Sequence, residues 1–273
     1  VINNVFGTLS VARSVIRHSV ANFVLISSDK AVRSTNIMGA SKRLSEICIQ
    51  SLYDNQNKKS KFAIVRFGNV LESSGSVIPK FKKQIKSGGP VTLTHPDVTR
   101  YFMTITEASQ LVIQAGAMAE NCEVFVLDMG ESVKIRDLVH KMIKLSGLSI
   151  KDAENIDGDI EVKIIGLRPG EKLYEELLIG DEPQNTFHEK IQKAQDPFIP
   201  YDKLKKDLDN LLNLLAEDRV EDVKDILHKL VSSYDSNSKI VDHIYEEQLN
   251  IKNKLKSSLA INNQENKVVR IKS

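Results

Sequence analysis

Ser27-Ser28-Asp29-Lys30 places hydroxyls, a carboxylate and an amine on consecutive residues, directly after the apolar run Phe23-Val24-Leu25-Ile26. A carboxyl group can give a proton. An amine can take one where burial or nearby positive charge lowers its pKa. The preceding run, apolar with polar flanks, reads as a fully buried strand of a parallel sheet. Ligands of open α/β sheets bind beyond the carboxyl ends of strands, so the four side chains stand where chemistry is expected. The triplet Ser28, Asp29 and Lys30 alone would equally suit an ordinary solvated strand end. Ser34-Thr35-Asn36 follows with turn and helix-cap chemistry, and Ile37 to Tyr53 is helical in pattern. On that helix Met38 and Lys42 are four residues apart and share a face. The Met38 thioether has no proton to exchange, so either the site is inactive or its acid and base lie elsewhere, with Asp29 and Lys30 available.

The elements that would position this stretch alternate along the chain. Asn3 to His18 reads as a helix with Val5, Leu9, Ala12 and Ile16 on one face, and Phe62 to Phe67 as a strand ending on Gly68-Asn69. Val77 to Lys86 is an amphipathic helix closed by Gly88-Gly89-Pro90, and Val91 to Thr94 a short strand. Thr104 to Met118 and Ile135 to Leu145 read as helices, Glu123 to Asp128 and Glu161 to Ile165 as strands, and Leu173 to Leu178 as a return to helix. Leucines and valines at helical spacing from Asp202 to Leu230 give a hairpin around Ala216-Glu217-Asp218, built for packing or oligomer contact. The Lys- and Asn-rich stretch from Asp235 to Ser273 reads as a tail with a helical portion near Ile240 to Leu259. The predicted fold is α/β, and the division is 1–200, a helical hairpin 201–234 and a polar tail 235–273.

SSDKAV, MGASKR, RFGNVLESSGSVIPKF, THPDVTRYFMT and GLRPGEKLYEELL, in that order from about Val1 to Tyr234, resemble the membrane-associated nucleotide-sugar 4,6-dehydratases of polysaccharide and glycan biosynthesis. These are extended relatives of the short-chain dehydrogenases, whose catalytic Tyr-x-x-x-Lys has Met38 in the Tyr position here. That substitution resembles the long-form members, which retain configuration at C5. The resemblance implies a Rossmann-type parallel sheet whose first strands, glycine loop and transmembrane helices precede Val1, with a small α/β substrate lobe after Gly68. It implies NAD as cofactor and a UDP-N-acetylhexosamine, UDP-GlcNAc foremost, as substrate. Ser28, Asp29, Lys30, Met38 and Lys42 would form the catalytic set, with Asn4, Lys42 and Phe67 toward the cofactor. Asn69, Ser76, Arg100, Arg168 and Glu171 would hold the sugar nucleotide, a planar guanidinium suiting phosphate and a carboxylate suiting vicinal hydroxyls. The bland readings stand beside these: a helix cap for Asn4, an Asx turn for Asn69, a surface ion pair for Arg168 and Glu171, and a structural role for His95 before Pro96. Glu72 departs from the small residue usual in relatives.

Composition sets bounds. The chain has 273 residues, 41% hydrophobic and 27% charged, with a formal net charge of +2. This is ordinary for a globular protein and gives no reason to expect nucleic acid or a membrane surface as partner. Cys48 and Cys122 make no disulfide framework, lack metal-ligand spacing and suit a reducing compartment. No apolar run is long enough to span a bilayer, and no G-x-G-x-x-G occurs. The expectation is a cytoplasmic C-terminal part of a longer enzyme that forms a homo-oligomer, the parent lying at the cytoplasmic face of the inner membrane. A nucleotide-sugar epimerase or reductase, a silent fragment that only binds UDP-sugar or partner subunits, and an assembly module built on the hairpin are the alternatives.

Overall fold

The chain opens with a π-helical turn, Ile2–Gly7, that runs into α1 (Thr8–Arg17). Val5, Leu9, Ala12 and Val15 face the interior, so Val15 rather than Ile16 takes the last inward place, with Ile16 packed beside it. The structure, a computed structural model, describes residues 1–55, 59–73, 76–178 and 183–235. The middle of the loop 73–79 and the tail from 236 onward, with its expected helix at 240–259, lie outside the described residues.

β1 (Asn22–Ile26), α2 (Ile37–Asp54) and β2 (Lys61–Arg66) form a βαβ unit with parallel strands. After them come β3 (Asn69–Val70), α3 (Val77–Lys86), β4 (Val91–Leu93), β5 (Thr99–Arg100), β6 (Phe102–Met103), α4 (Ile105–Met118) and β7 (Cys122–Leu127). The chain continues through β8 (Val133–Lys134), α5 (Ile135–Leu145), β9 (Ile150–Lys151) and β10 (Ile160–Ile164). It then forms β11 (Gln184–Asn185), β12 (Ile191–Ala194), α6 (Tyr201–Ala216) and α7 (Val220–Leu230).

The main sheet has the order β1-β2-β7-β12-β11, parallel across its first three strands and antiparallel at β12 and β11. Because side chains alternate across a strand, Phe62 and Ile64 enter a core shared with α1, α2, α6 and α7. Ala63 and Val65 enter a second core, on the opposite face, built with α4. A third core lies between α3 and α5 and the short sheet β4-β10-β9, which makes the lobe over the sheet's carboxyl end.

Two expectations are corrected, and one strand was not foreseen. β1 is not fully buried: it stands at the sheet edge among the described residues, with Phe23 and Val24 half-buried and Ile26 43% exposed. Leu173 to Leu178 is not helical, because the Leu173 carbonyl accepts from the Thr99 amide at 3.1 Å and is spent on the lobe. β12 closes the free edge of β7 in a stretch that carries no strand pattern of its own. The hairpin forms around Ala216, with Leu204, Leu208, Leu211 and Leu214 packed against Val223, Ile226, Leu227 and Leu230, and it joins the α1–α2 core. Among the described residues no helix is long and apolar enough to cross a membrane.

Candidate active site

The site begins where β1 ends. The Asp29 amide donates to the Phe67 carbonyl at 3.2 Å, which holds the end of β1 against the end of β2. Ser28 then caps a single 3-10 turn, Asp29–Ala31. Inside that turn the Asp29 side chain is fully buried, and its Oδ1 accepts from Ser28 Oγ at 2.7 Å and Lys30 Nζ at 2.8 Å. Asp29 Oδ2 has no hydrogen-bond partner. Lys30 is less enclosed, its side chain 27% exposed to the cavity. A hydroxyl, an acid and an amine thus share one oxygen at the wall of an open space.

The helix that faces them is brought close by two glycines. Asn36 caps α2, accepting from the Gly39 amide at 2.9 Å. A Cβ on Gly39 would lie 2.2 Å from the Lys30 carbonyl oxygen, so only glycine lets α2 seat on the 3-10 turn. The loop carrying Arg168 and Glu171 docks on the same cap: Thr35 Oγ1 and Asn36 Nδ2 donate to the Gly170 carbonyl at 2.8 and 3.0 Å. Gly170 has φ +71°, and a Cβ there would meet the Thr35 carbonyl at 2.8 Å. Lys172 Nζ adds a bond to the Val32 carbonyl at 3.0 Å.

These elements enclose a cavity of about 810 Å³. Ser28, Lys30, Met38, Asn69, Ser76, Arg100, Arg168 and Glu171 all line it. Asp29 sits beneath the wall. A second space of about 310 Å³ shares Lys30, Met38, Arg100, Arg168 and Glu171 and extends to Lys172 and Glu175. Asn69 Nδ2 bonds the Tyr101 carbonyl at 3.1 Å, and the Ser76 hydroxyl is buried without a partner. Arg100 is 13% exposed and lies between Glu171 Oε1 at 3.2 Å and Glu175 Oε1 at 3.5 Å. Glu171 is aimed by Thr94 Oγ1 at 2.9 Å and by the Arg168 amide at 3.1 Å. Arg168 and Glu171 are therefore joined through the backbone, and among the described residues no ion pair links their side chains. His95 only accepts from the Asp97 amide of its own turn at 3.1 Å.

The residues expected to face a cofactor stand apart from the cavity. Asn4 Nδ2 donates to Ser41 Oγ at 2.9 Å, and Lys42 Nζ reaches the Ile26 carbonyl at 3.4 Å. Asn4, in the opening π-helical turn, thus reaches α2 at Ser41, and Lys42 on α2 reaches the end of β1, where the Ile26 side chain is exposed. Phe67 packs against the α4-side core instead. One weak bond leaves most of the Lys42 ammonium free to donate, and an apolar shelf lies next to it. That fits the nicotinamide-riboside end of a dinucleotide. The described residues offer no glycine-lined helix N-terminus for its pyrophosphate.

Lys80, Lys172 and Glu175 were missed by sequence reasoning. Lys80 lines the cavity from the first turn of α3, its pKa lowered by burial and by the Arg168 charge, with Glu171 opposing. Its place four residues after Ser76 was the available signal. Glu175 is 95% enclosed as a side chain, being 5% exposed, and carries a pKa raised by burial and by the Asp29 charge. Lys30, Arg100 and Lys172 oppose that rise. In sequence Glu175 lay inside the Leu173 to Leu178 stretch read only as a return to helix.

A parallel sheet with a lobe built from the segments after β2 is the fold of solved nucleotide-sugar epimerases and dehydratases. The fold of dTDP-glucose 4,6-dehydratase from Bacillus anthracis, solved in complex with NAD, is shared at TM-score 0.53 and 16% identity, over 64% of this chain and 58% of that one. Pen from Bacillus thuringiensis matches at TM-score 0.57 and 38% identity, over 64% of this chain and 53% of that one. The chain belongs to the polysaccharide biosynthesis protein family, whose profile matches residues 1–196. It is 51% identical to capsular polysaccharide biosynthesis protein CapD of Staphylococcus aureus, over 80% of this chain and 35% of that protein. It is 34% identical to UDP-glucose 4-epimerase of Rickettsia rickettsii, over 66% of this chain and 50% of that protein. The chain thus spans a third to a half of the length of these curated relatives.

Proposed function

We propose that the protein takes part in NAD-dependent 4,6-dehydration of a UDP-N-acetylhexosamine, UDP-GlcNAc in the first instance, giving a 4-keto-6-deoxy sugar nucleotide. The observation that carries this reading is the Ser28–Asp29–Lys30 cluster. An epimerase, the activity named for the Rickettsia rickettsii relative, needs proton exchange at the C4 oxygen alone. Dehydration needs more: a hydroxyl partner for O4, a base for the C5 proton and an acid for the departing C6 hydroxyl. The cluster offers one group for each.

NAD, when bound, supplies oxidation at C4 and reduction at C6. Lys42 and Asn4 would hold its nicotinamide-riboside end, and Phe67 would act from behind the strand end through its carbonyl contact with Asp29. Ser28 Oγ takes the O4 proton and passes it to Asp29 Oδ1, along the bond already present. The ketone so formed acidifies C5–H. Lys30 takes that proton while Asp29 gives its own to the C6 oxygen, which leaves as water. Met38 presents an apolar, proton-free surface opposite, so no phenol competes with Ser28 and Asp29 at O4. Arg100, Arg168 and Lys80 face the diphosphate, Glu171 the ribose hydroxyls, and Asn69 and Ser76 the sugar end.

The test uses the chain together with an N-terminal dinucleotide-binding half, fused or added. Lys30→Ala and Asp29→Asn should each lower turnover of UDP-GlcNAc by roughly 10²–10⁴-fold while leaving its binding intact. Turnover at the unsubstituted rate in either variant sinks the assignment.

A further inference from the structure

Lys30 poses a problem for any reaction in which it serves as a base. Its Nζ donates to Asp29 Oδ1 at 2.8 Å, an ion pair with a fully buried carboxylate. Before it can accept a proton it must lose one. Asp29 cannot be the recipient if it also receives the O4 proton through Ser28, because it holds one proton at a time. A third group is required, and the smaller cavity contains it. Lys30 and Glu175 both line that space. The Glu175 side chain is 5% exposed, and its Oε2 is sealed from solvent with no hydrogen-bond partner. Asp29 Oδ2 is a second buried carboxylate oxygen in the same condition. A buried, unpartnered carboxylate oxygen is an unmet demand for a donor.

We propose that Glu175 is a proton-relay partner acting through Lys30: it receives the Lys30 proton and so releases Lys30 to work as an amine. This rests on the dehydratase reading. The balance closes. A Lys30 N–H bond breaks and a Glu175 O–H bond forms, carried by water for which the polar cavity has room. The freed amine takes the C5 proton. Asp29, protonated from O4, gives its proton to the C6 oxygen as the C6–O bond breaks. After reduction at C6, Lys30 returns its proton to C5 and recovers the one held by Glu175, so all three groups end as they began.

Arg100 makes the relay responsive to substrate. Its Nε lies 3.5 Å from Glu175, and its Nη2 lies 3.2 Å from Glu171. The charged groups acting on Glu175 are Asp29, Lys30, Arg100 and Lys172. A diphosphate at Arg100 compensates the guanidinium charge that keeps Glu175 ionised. Binding of an anionic sugar nucleotide therefore promotes proton uptake at Glu175. Burial and the Asp29 charge already raise its pKa, which makes it the carboxyl suited to that role.

The test needs no turnover. Glu175 should titrate above its ordinary value of 4.5 by carboxyl-carbon NMR, assigned with Glu175→Gln, and its midpoint should fall in Asp29→Asn. Calorimetry with UDP-GlcNAc, whose diphosphate diester does not titrate near neutrality, should show proton uptake of a sizeable fraction of one per ligand when buffers of different ionisation enthalpy are compared. Glu175→Gln, nearly isosteric and without a titrating proton, should abolish the uptake, and Glu175→Asp should restore part of it. In the active assembly Glu175→Gln should lower turnover by about 10²-fold. An ordinary midpoint, a midpoint unmoved by Asp29→Asn, or uptake unchanged in Glu175→Gln overturns this inference while leaving the dehydratase reading intact. No binding of UDP-GlcNAc overturns both.

Discussion

Two ionic clusters lie on either side of the end of β1, built from the same residue types and put to opposite uses. Behind the strand, Glu46 accepts from Ser27 Oγ at 2.5 Å and from Arg66 Nε at 2.8 Å with one oxygen, and from Arg43 at 3.0 Å with the other. Arg66 also pairs with Asp196, and Arg43 reaches the Pro197 carbonyl at 2.7 Å. Two arginines balance two carboxylates, none of their side chains more than 3% exposed. In front of the strand, Lys30, Arg100, Glu171 and Glu175 line open cavities and Asp29 is buried beneath their wall, with Asp29 Oδ2 and Glu175 Oε2 unmet. Burial would raise the Glu46 pKa, but Arg66 and Arg43 overcome it and hold that carboxyl below its ordinary value. For Glu175 burial prevails. Two guanidiniums enclosed against two carboxylates make a strut, although Arg66 Nη1 and Asp196 Oδ1 there also lack partners; a carboxyl enclosed without that balance of charge makes a group that can move a proton. Ser27 and Ser28, adjacent in sequence, belong one to each.

The contrast breaks most visibly at Arg66. Arg66→Met leaves two buried carboxylates with one guanidinium, and should cost about 3–5 kcal/mol by urea denaturation, a large part of a typical stability of roughly 5–15 kcal/mol. Lys30→Met should do the reverse: turnover falls by about 10²–10⁴-fold, yet the urea midpoint moves less, because Asp29 Oδ1 keeps the Ser28 hydroxyl as donor. Ser27→Ala removes one of two donors to Glu46 Oε1 and should cost about 1 kcal/mol. If it lowers turnover as well, the strut aims the catalytic turn.

The smallest effect is a pair of opposite slopes in stability against pH. Glu46 has a folded pKa below its ordinary 4.5, so its contribution is present above that value and lost as pH falls through the folded pKa. Glu46→Gln should flatten the acid limb. Glu175 has a folded pKa above 4.5, so its contribution is present below that value and lost as pH rises through the folded pKa. Glu175→Gln should gain on the unsubstituted chain as pH rises. Equal slopes in the two variants would erase the distinction.

Much of the frame was legible because it is local. The run Phe62 to Val65 is apolar enough to announce a strand buried on both faces, and the cap at Asn36 announces α2. What was not legible depends on partners far along the chain. β1 has the composition of a buried strand, and among the described residues it is the first strand of the sheet order. Leu173 to Leu178 has helical spacing, yet the Leu173 carbonyl is claimed by Thr99. Within the site, Asp29 and Lys30 stood out because chemistry-bearing residues followed a strand. Glu175 did not, since its meaning comes from a distant carboxylate brought near by the docking of Gly170 on Thr35 and Asn36.

The most direct measurement is to supply the chain, with an N-terminal dinucleotide-binding half, with NAD and UDP-GlcNAc carrying deuterium at C4, and to follow the sugar nucleotide by mass spectrometry and NMR. The expected result is loss of one water and deuterium at C6 of a 4-keto-6-deoxy product. Deuterium retained at C4 with inversion there and no water lost would contradict it and make the protein an epimerase.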